Sequence, residues 1–519
     1  MNWLATMPVR LPVLVPLALA DRLPGWVYEV TPHAVIGLFV FAFGACLGSF
    51  ANVVIYRLPE GISVVSPPSR CPTCGVRLKW HENLPIVGWI ALRGRCRACG
   101  VRISPQYLVI ELLMGLLLLW LYLAYFAAPP TMPWWGDVGG PWWFRNGVLR
   151  SLPAFLLHAI LLAALVAMAK IDVRSFHLPT AVPNTVAIAA FLLWPLQTLL
   201  PAPAQSIERW PIPLLSAPWI GAALGAGLGV LASTAALWRG ALRPSFADYD
   251  DFLPPATSER TAAPVAPASD GPRIELWFLA VVLASTAVGL SLNGARVAAA
   301  VVAAAALIVL AAPMVLLRHA SSDVEEAALA DYPHARREVL REVVFLLPAL
   351  GGAAVGFLLV RWLATGGGEQ VANEASWIGA AHGGVVRAAA AGTIGAINAP
   401  GVVAALGASV AGYLVAGGMV WAVRIVATLG FGREAMGLGD VHLFGAVGAV
   451  LGWTDPLWAF FAAAFFGLAW AIAATVVGGR GAVQRSSIPF GPHLALAAVG
   501  VIAFRPALDR LWGLWLASL

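Results

Sequence analysis

Asp440 stands in Gly437-Leu438-Gly439-Asp440, immediately ahead of the apolar run Val441 to Trp453, and Asp172 closes another apolar run that begins near Leu152. A charged aspartate at the centre of a membrane helix costs about 2.5 to 3.5 kcal/mol on insertion scales, so such residues usually line a polar cavity or do chemistry. Two of them suggest acid/base catalysis. Like charges a few ångströms apart cannot both ionise easily, so a carboxylate pair shares one proton: the ionised member draws on water while the protonated one polarises a carbonyl. The structural alternatives are plain. Asp172 can be a helix-end acid at the water interface beside Arg174. Gly437 and Gly439 can give a sharp turn and let an extended substrate approach Asp440, or they can be a helix-packing pair.

Four of the five cysteines form Cys71-Pro72-Thr73-Cys74 and Cys96-Arg97-Ala98-Cys99, each pair followed by glycine, Gly75 and Gly100. Two such knuckles supply four thiolates for a closed tetrahedral zinc site, and the glycine lets the backbone turn its amides toward sulfur. A closed shell leaves no position for water, so its role is structural; a disulfide framework is the competing reading. The loop offers few apolar residues to bury, mainly Leu78, Trp80, Leu84, Ile86, Trp89 and Leu92, so zinc is expected to fold it. Cys46, inside an apolar run, reads as a small buried hydrophobe.

The elements that must hold these groups are membrane helices. The chain is 60% hydrophobic and 11% charged, with mean hydropathy +0.81, against roughly 25% charged residues in an ordinary soluble domain. The expected fold is an all-α polytopic membrane protein. Spans are expected near 33–55, 106–128, 150–171, 181–201, 214–238, 276–293, 296–318, 343–362, 397–429, 440–453, 456–478 and 488–505, about twelve in all. Residues 1–32 form an N-terminal segment that does not read as a signal peptide.

Charge sets the topology. The stretch 56–105, which holds the cysteine pairs, carries eight Lys/Arg against Glu60 and Glu82, so it is expected in the cytoplasm as a topogenic cluster and not as a nucleic-acid surface. Alternation of spans then brings Arg239 with Arg243, Arg318 with Arg336 and Arg337, Arg433, and Arg480 with Arg485 to the same face. Asp172 and Asp440 fall on that face too. The organisation expected is a first transmembrane helix at 33–55, a zinc-binding domain at 56–105, a membrane part with Asp172 at 106–204, further spans with a polar linker (240–275) at 205–395, and a membrane part with Asp440 at 396–519.

Several blocks resemble bacterial type IV prepilin peptidases. They are Gly48-Ser49-Phe50-Ala51-Asn52-Val53-Val54-Ile55-Tyr56-Arg57-Leu58-Pro59, the paired knuckles with Asn83-Leu84-Pro85 between them, Ile103-Ser104-Pro105-Gln106-Tyr107, Glu111-Leu112-Leu113-Met114-Gly115, Ile171-Asp172 with Leu178-Pro179, Gly432-Arg433-Glu434-Ala435-Met436-Gly437-Leu438-Gly439-Asp440, and Ile488-Pro489-Phe490-Gly491-Pro492. They occur in the family's order and cover roughly 35–200 and 400–505. The resemblance implies an intramembrane aspartic endopeptidase of the GxGD type in the bacterial inner membrane. Such enzymes cut the basic leader from type IV prepilins or type II secretion pseudopilins at the cytoplasmic face, and many members then methylate the new N-terminus with S-adenosylmethionine. It further implies Asp172 and Asp440 as the catalytic pair and Cys71, Cys74, Cys96 and Cys99 as zinc ligands.

The chain departs from the family at three points. Thr180 replaces the usual acid after Leu178-Pro179; His442 stands where a lysine is common; and six spans, not two, separate the aspartates. Glu111 is a candidate for a supporting role or a hydrogen-bonded packing residue, and no glycine-rich signature for S-adenosylmethionine is visible. The reading from another class is a transporter or pilus-assembly scaffold whose aspartates bind ions or protons, which twelve spans would suit.

Overall fold

The computed structural model describes residues 25–175, 178–200, 210–247, 275–316, 334–364, 401–478 and 490–518. The N-terminal segment up to 24, His177, most of the polar linker, Ser321–Pro333 and Ile488-Pro489 lie outside the described residues. Within them the chain is helical, with no strand and two isolated bridges in the cysteine loop.

The elements are α1 (Gly25–Arg57), a short α2 (Val87–Ala91) in the loop, α3 (Gln106–Tyr122) ending in a π turn at Leu123–Ala127, α4 (Trp135–Arg150), α5 (Leu152–Ser175), α6 (Ala181–Thr198), α7 (Ala217–Trp238), α8 (Glu275–Leu292), α9 (Arg296–Leu316), α10 (Ala335–Ala364), α11 (Val402–Phe431), α12 (Leu438–Leu451), α13 (Asp455–Gly478), α14 (Gly491–Ala503) and α15 (Arg505–Ser518). Eight of them contain stretches long and apolar enough to cross a membrane, within α1, α3, α5, α6, α7, α10, α11 and α13. Shorter apolar stretches lie in α8, α9, α12 and α14. All twelve coincide with runs expected from hydropathy, and among the described residues six helices, α6 to α11, lie between the two aspartates in the chain. Helix α1 starts eight residues before the expected span and takes in Pro32.

Helix α4 was not legible as an element. Its backbone breaks helical geometry at Gly140 (φ 75°) and Gly147 (φ 65°), so no continuous apolar periodicity runs through it. Its Trp143 stacks on Tyr125 at 4.4 Å, and His158 meets both rings edge-on; aromatic packing holds what propensity would not.

The chain divides into two compact units, one from Met1–Arg174, Asp270–Leu316 and Val499–Leu519, the other from Ser175–Ser269 and Leu317–Ala498. The extra helices are therefore shared out: α8 and α9 belong to the first unit, α7 and α10 to the second. In the first unit α1 packs on α3 through Gly44 and Gly48, where a Cβ would stand 2.5 Å from the Met114 carbonyl oxygen and 2.7 Å from the Glu111 Cα. Cys46 lies on the other face of α1 and is exposed, contrary to the burial expected of it. Ser285 of α8 accepts from the Trp134 indole at 3.1 Å and donates to the Ala503 carbonyl at 2.6 Å.

Glycine stripes also organise the second unit. Gly221, Gly225 and Gly229 of α7 face Gly356, Gly352 and Pro348 of α10, with a Cβ at any of the three falling 2.1 to 2.4 Å from the opposing carbonyl oxygen. Gly412 of α11 and Gly448 of α12 make the same kind of contact. Small residues that admit the neighbouring backbone are how membrane helices gain packing contacts where lipid removes the hydrophobic driving force.

Candidate active site and metal-binding loop

Gly437 caps α12 with extended backbone (φ −68°, ψ 145°), and neither it nor Gly439 uses a left-handed conformation. Their roles divide. A Cβ on Gly439 would lie 2.5 Å from the Leu178 Cβ and 3.1 Å from the Leu178 carbonyl oxygen, whereas one on Gly437 meets nothing closer than 3.9 Å. Gly439 thus seats the turn against the Leu178-Pro179 block. Asp440 follows in the first turn of α12, buried, its N–H directed at the Gly437 carbonyl at 3.3 Å. Two residues further on, His442 Nδ1 lies 3.0 Å from the Tyr413 hydroxyl. Tyr413 also packs over Gly445 and takes Phe191 edge-on at 5.9 Å. Asp172 is buried in the last turns of α5, near the buried Lys170. It belongs to the first unit and Asp440 to the second.

The four loop cysteines converge. Their sulfurs lie within 4.8 Å of one another, with Cys71 to Cys99 and Cys74 to Cys96 each 3.9 Å apart. A tetrahedral ion with metal–sulfur bonds of about 2.3 Å spaces its sulfurs by about 3.8 Å, so the set fits a metal. The two knuckles repeat one local design: the amides of Gly75 and Gly100 bond to the carbonyls of Cys71 and Cys96, both at 2.9 Å. Both glycines sit at positive φ, 72° and 70°, where a Cβ is disfavoured. The Cys99 and Ala98 amides pointing at Cys96 bring its thiol down to about 6, while Cys99, against the pull of the Val101 amide, is pushed up to about 11 by burial and the neighbouring thiols.

Around the four cysteines the loop is tied by polar contacts more than by a core. Trp80 and Leu84, expected to be buried, are exposed. Glu82 instead bridges the knuckles: it accepts the Lys79 N–H at 2.8 Å and meets Arg97 Nε at 2.5 Å. The Lys79 amide first, and then Arg97, hold its carboxyl below the usual range. Glu111 takes the structural role open to it. Its carboxylate accepts the Ile86 N–H at 2.6 Å and a bond from Ser49, clamping the loop to α1 and α3. Asn52 donates to the Tyr107 carbonyl at 3.2 Å, a second tie between the same two helices.

Several buried charged groups escaped sequence reasoning, Arg424 and Glu342 among them. Arg424 in α11 is 2% exposed and bonds to Glu342, Glu434 and the Met436 carbonyl. The available signal was an arginine inside an apolar run, itself a marker of function in membrane helices.

The fold and loop define an all-helical membrane protein with a four-cysteine loop whose geometry fits a metal ion, and residues 42–125 match the Bacterial Peptidase A24 N-terminal domain. The chain is similar to the prepilin leader peptidase/N-methyltransferase of Myxococcus xanthus, 58% identical over 80 residues, 15% of this chain and 24% of the relative. It is likewise similar to the protein of the same name from Klebsiella pneumoniae, 42% identical over 108 residues, 20% of this chain and 46% of the relative. The Vibrio cholerae protein of that name is 43% identical over 74 residues, 13% of this chain and 29% of the relative. The chain thus spans about a quarter to a half of the length of these curated relatives. No solved structure matches it. The resemblance read from the motifs holds over the N-terminal blocks.

Proposed function

We propose that this chain is an intramembrane aspartic endopeptidase that removes the basic leader of type IV prepilins or type II secretion pseudopilins at the cytoplasmic face of the bacterial inner membrane, with Asp172 and Asp440 as its catalytic pair. The observation that carries this reading is the burial of Asp440 in the first turn of a short apolar helix, on a glycine turn seated against Leu178, in a chain with an A24 N-terminal domain.

The chemistry follows from sharing one proton. The ionised carboxylate takes a proton from the attacking water, the protonated one hydrogen-bonds the scissile carbonyl oxygen, and a proton passes to the leaving amine. Gly437, open where Gly439 is packed, leaves room for an extended substrate beside Asp440. Tyr413 fixes the ring of His442 next to the turn. Cys71, Cys74, Cys96 and Cys99 would hold zinc in a closed four-thiolate shell, which would organise the loop and leave no open position for water.

Methylation of the new N-terminus by S-adenosylmethionine rests on the relatives' names. The described residues contain no strand on which a glycine-rich cofactor loop could be built, and no residue of the chain is assigned to that step.

The test is cleavage of a co-expressed prepilin whose basic leader ends in glycine, comparing wild type with Asp172→Asn and Asp440→Asn. Cleavage by wild type and by neither variant is the expected result. A wild type that leaves several such substrates uncut would turn the reading toward an ion-binding transporter or scaffold.

A further inference from the structure

Arg424 distributes its guanidinium between two parts of the chain. Nε and Nη2 face Glu342 of the inserted helix α10, at 3.2 and 2.9 Å. Nη1 bonds to Glu434 at 2.6 Å and to the Met436 carbonyl, in the segment that leads directly into Gly437. Both Arg424 and Glu342 are almost fully buried. Glu342 is saturated in turn, accepting from Trp421 Nε1 at 2.6 Å and from the Ser245 hydroxyl at 3.1 Å. The turn after α7 closes the group from the far side: Phe246 adopts φ 56°, gives its N–H to Glu338 at 3.2 Å, and lays its ring over the guanidinium with 5.3 Å to the centroid.

A buried arginine needs a partner, and a carboxylate alone would satisfy that need. Here half of the fork is spent on a backbone carbonyl and an acid of the turn that precedes the candidate nucleophile-activating aspartate. A bulky residue in the left-handed region is strained, and the strain at Phe246 delivers a ring to this one group. The anchor behind it is firm, because α10 meets α7 backbone to backbone through the glycine stripe.

We propose that Arg424 is a positioning residue for the turn Gly437–Asp440, registered by Glu342, and that the inserted pair α7–α10 serves as the abutment against which this turn is set. The proposal rests on reading Asp440 as catalytic. It also gives part of the insertion a role, since α10 supplies the acid that orients Arg424 and the residues after α7 cap it. The planar fork matters because a lysine would keep the charge but cannot reach Glu342 and the Met436 carbonyl together.

Two readouts test this in purified full-length protein carrying Cys46→Ser. Val441→Cys, buried and adjacent to Asp440, reports the order of the turn through maleimide labelling, measured against the parent lacking that cysteine. Val447→Cys, buried two turns along α12, is the control. Labelling at Val441→Cys is expected to rise several-fold with Glu342→Gln and with Arg424→Lys, while Val447→Cys stays protected. Cleavage of a prepilin peptide should lose about ten- to a hundredfold in kcat with KM little changed, and Glu342→Asp should recover part of it.

Arg424→Lys retains the charge and tests the fork alone if Glu342→Gln does not purify as a monodisperse species. Unchanged labelling at Val441→Cys in a monodisperse variant overturns the proposal, as does an equal rise at Val447→Cys, which would mean general loosening. If labelling responds as expected but wild type cuts no prepilin, the positioning role stands and the peptidase reading fails.

Discussion

Glu111 shows how a lone acid in an apolar helix can be structural and still decide whether a site exists. Its carboxylate takes the N–H of Ile86, a residue held at φ 64°, where a β-branched side chain is a genuine outlier. Replacing it by leucine would leave that N–H without its acceptor, at a cost of about 1 to 3 kcal/mol. Glu111→Leu is expected to keep its bound metal yet be cut faster by protease between Leu84 and Leu92; an unchanged cleavage rate would sink the clamp interpretation. At this scale the sequence was informative where spacing encodes chemistry. Two CxxC knuckles name their four ligands before any fold is known, and the structure gathers them. Arg424 and Glu342 stand 82 positions apart, and no local pattern announces such a pair. Glu82 and Arg97 were invisible for the same reason.

Helices differ in how much of themselves they declare. Twelve apolar runs were legible because crossing a bilayer imposes length and composition together. Helix α4 was not, since Gly140, Pro141 and Gly147 interrupt it and its stability comes from Trp143 and Tyr125. The glycines of α11 and α12 carry a sharper message, since those that touch backbone can be separated from those that do not. Gly448→Ala would place a Cβ 2.0 Å from the Gly412 carbonyl oxygen, a backbone atom that cannot swing aside, and overpacking of this kind costs about 1 to 3 kcal/mol. Gly418, in the same helix pair, has nothing within 4 Å of its Cβ position. There alanine should be neutral or should stabilise by up to about 1 kcal/mol through helix propensity. Thermal unfolding in detergent is the measurement, and equal effects at the two positions would contradict the packing described.

At the level of the whole molecule, the cysteine loop and the helices answer to different forces. The loop has almost no apolar core of its own, so its order is expected to depend on a metal held by the four cysteines and on ties such as Glu82 to Arg97 and Glu111 to Ile86. Stripping metal with a strong chelator is expected to make the segment from Cys71 to Cys99 protease-sensitive while far-ultraviolet circular dichroism of the membrane helices is retained. Loss of helical signal in parallel would show instead that the loop is integral to the fold. Sequence alone placed the additional helices in one continuous insertion between the aspartates. Contacts place α8 and α9 with the first unit and α7 and α10 with the second, a division that hydropathy cannot express because it carries no information on partners. The pairing of α7 with α10 has a genetic side as well. Where side chains interlock, an enlarged residue on one helix can be rescued by a smaller one opposite. Gly225 and Gly352 already present bare backbone to each other, so nothing smaller exists to substitute. An enlarged residue at either glycine is therefore not expected to be rescued by any change at the position opposite it.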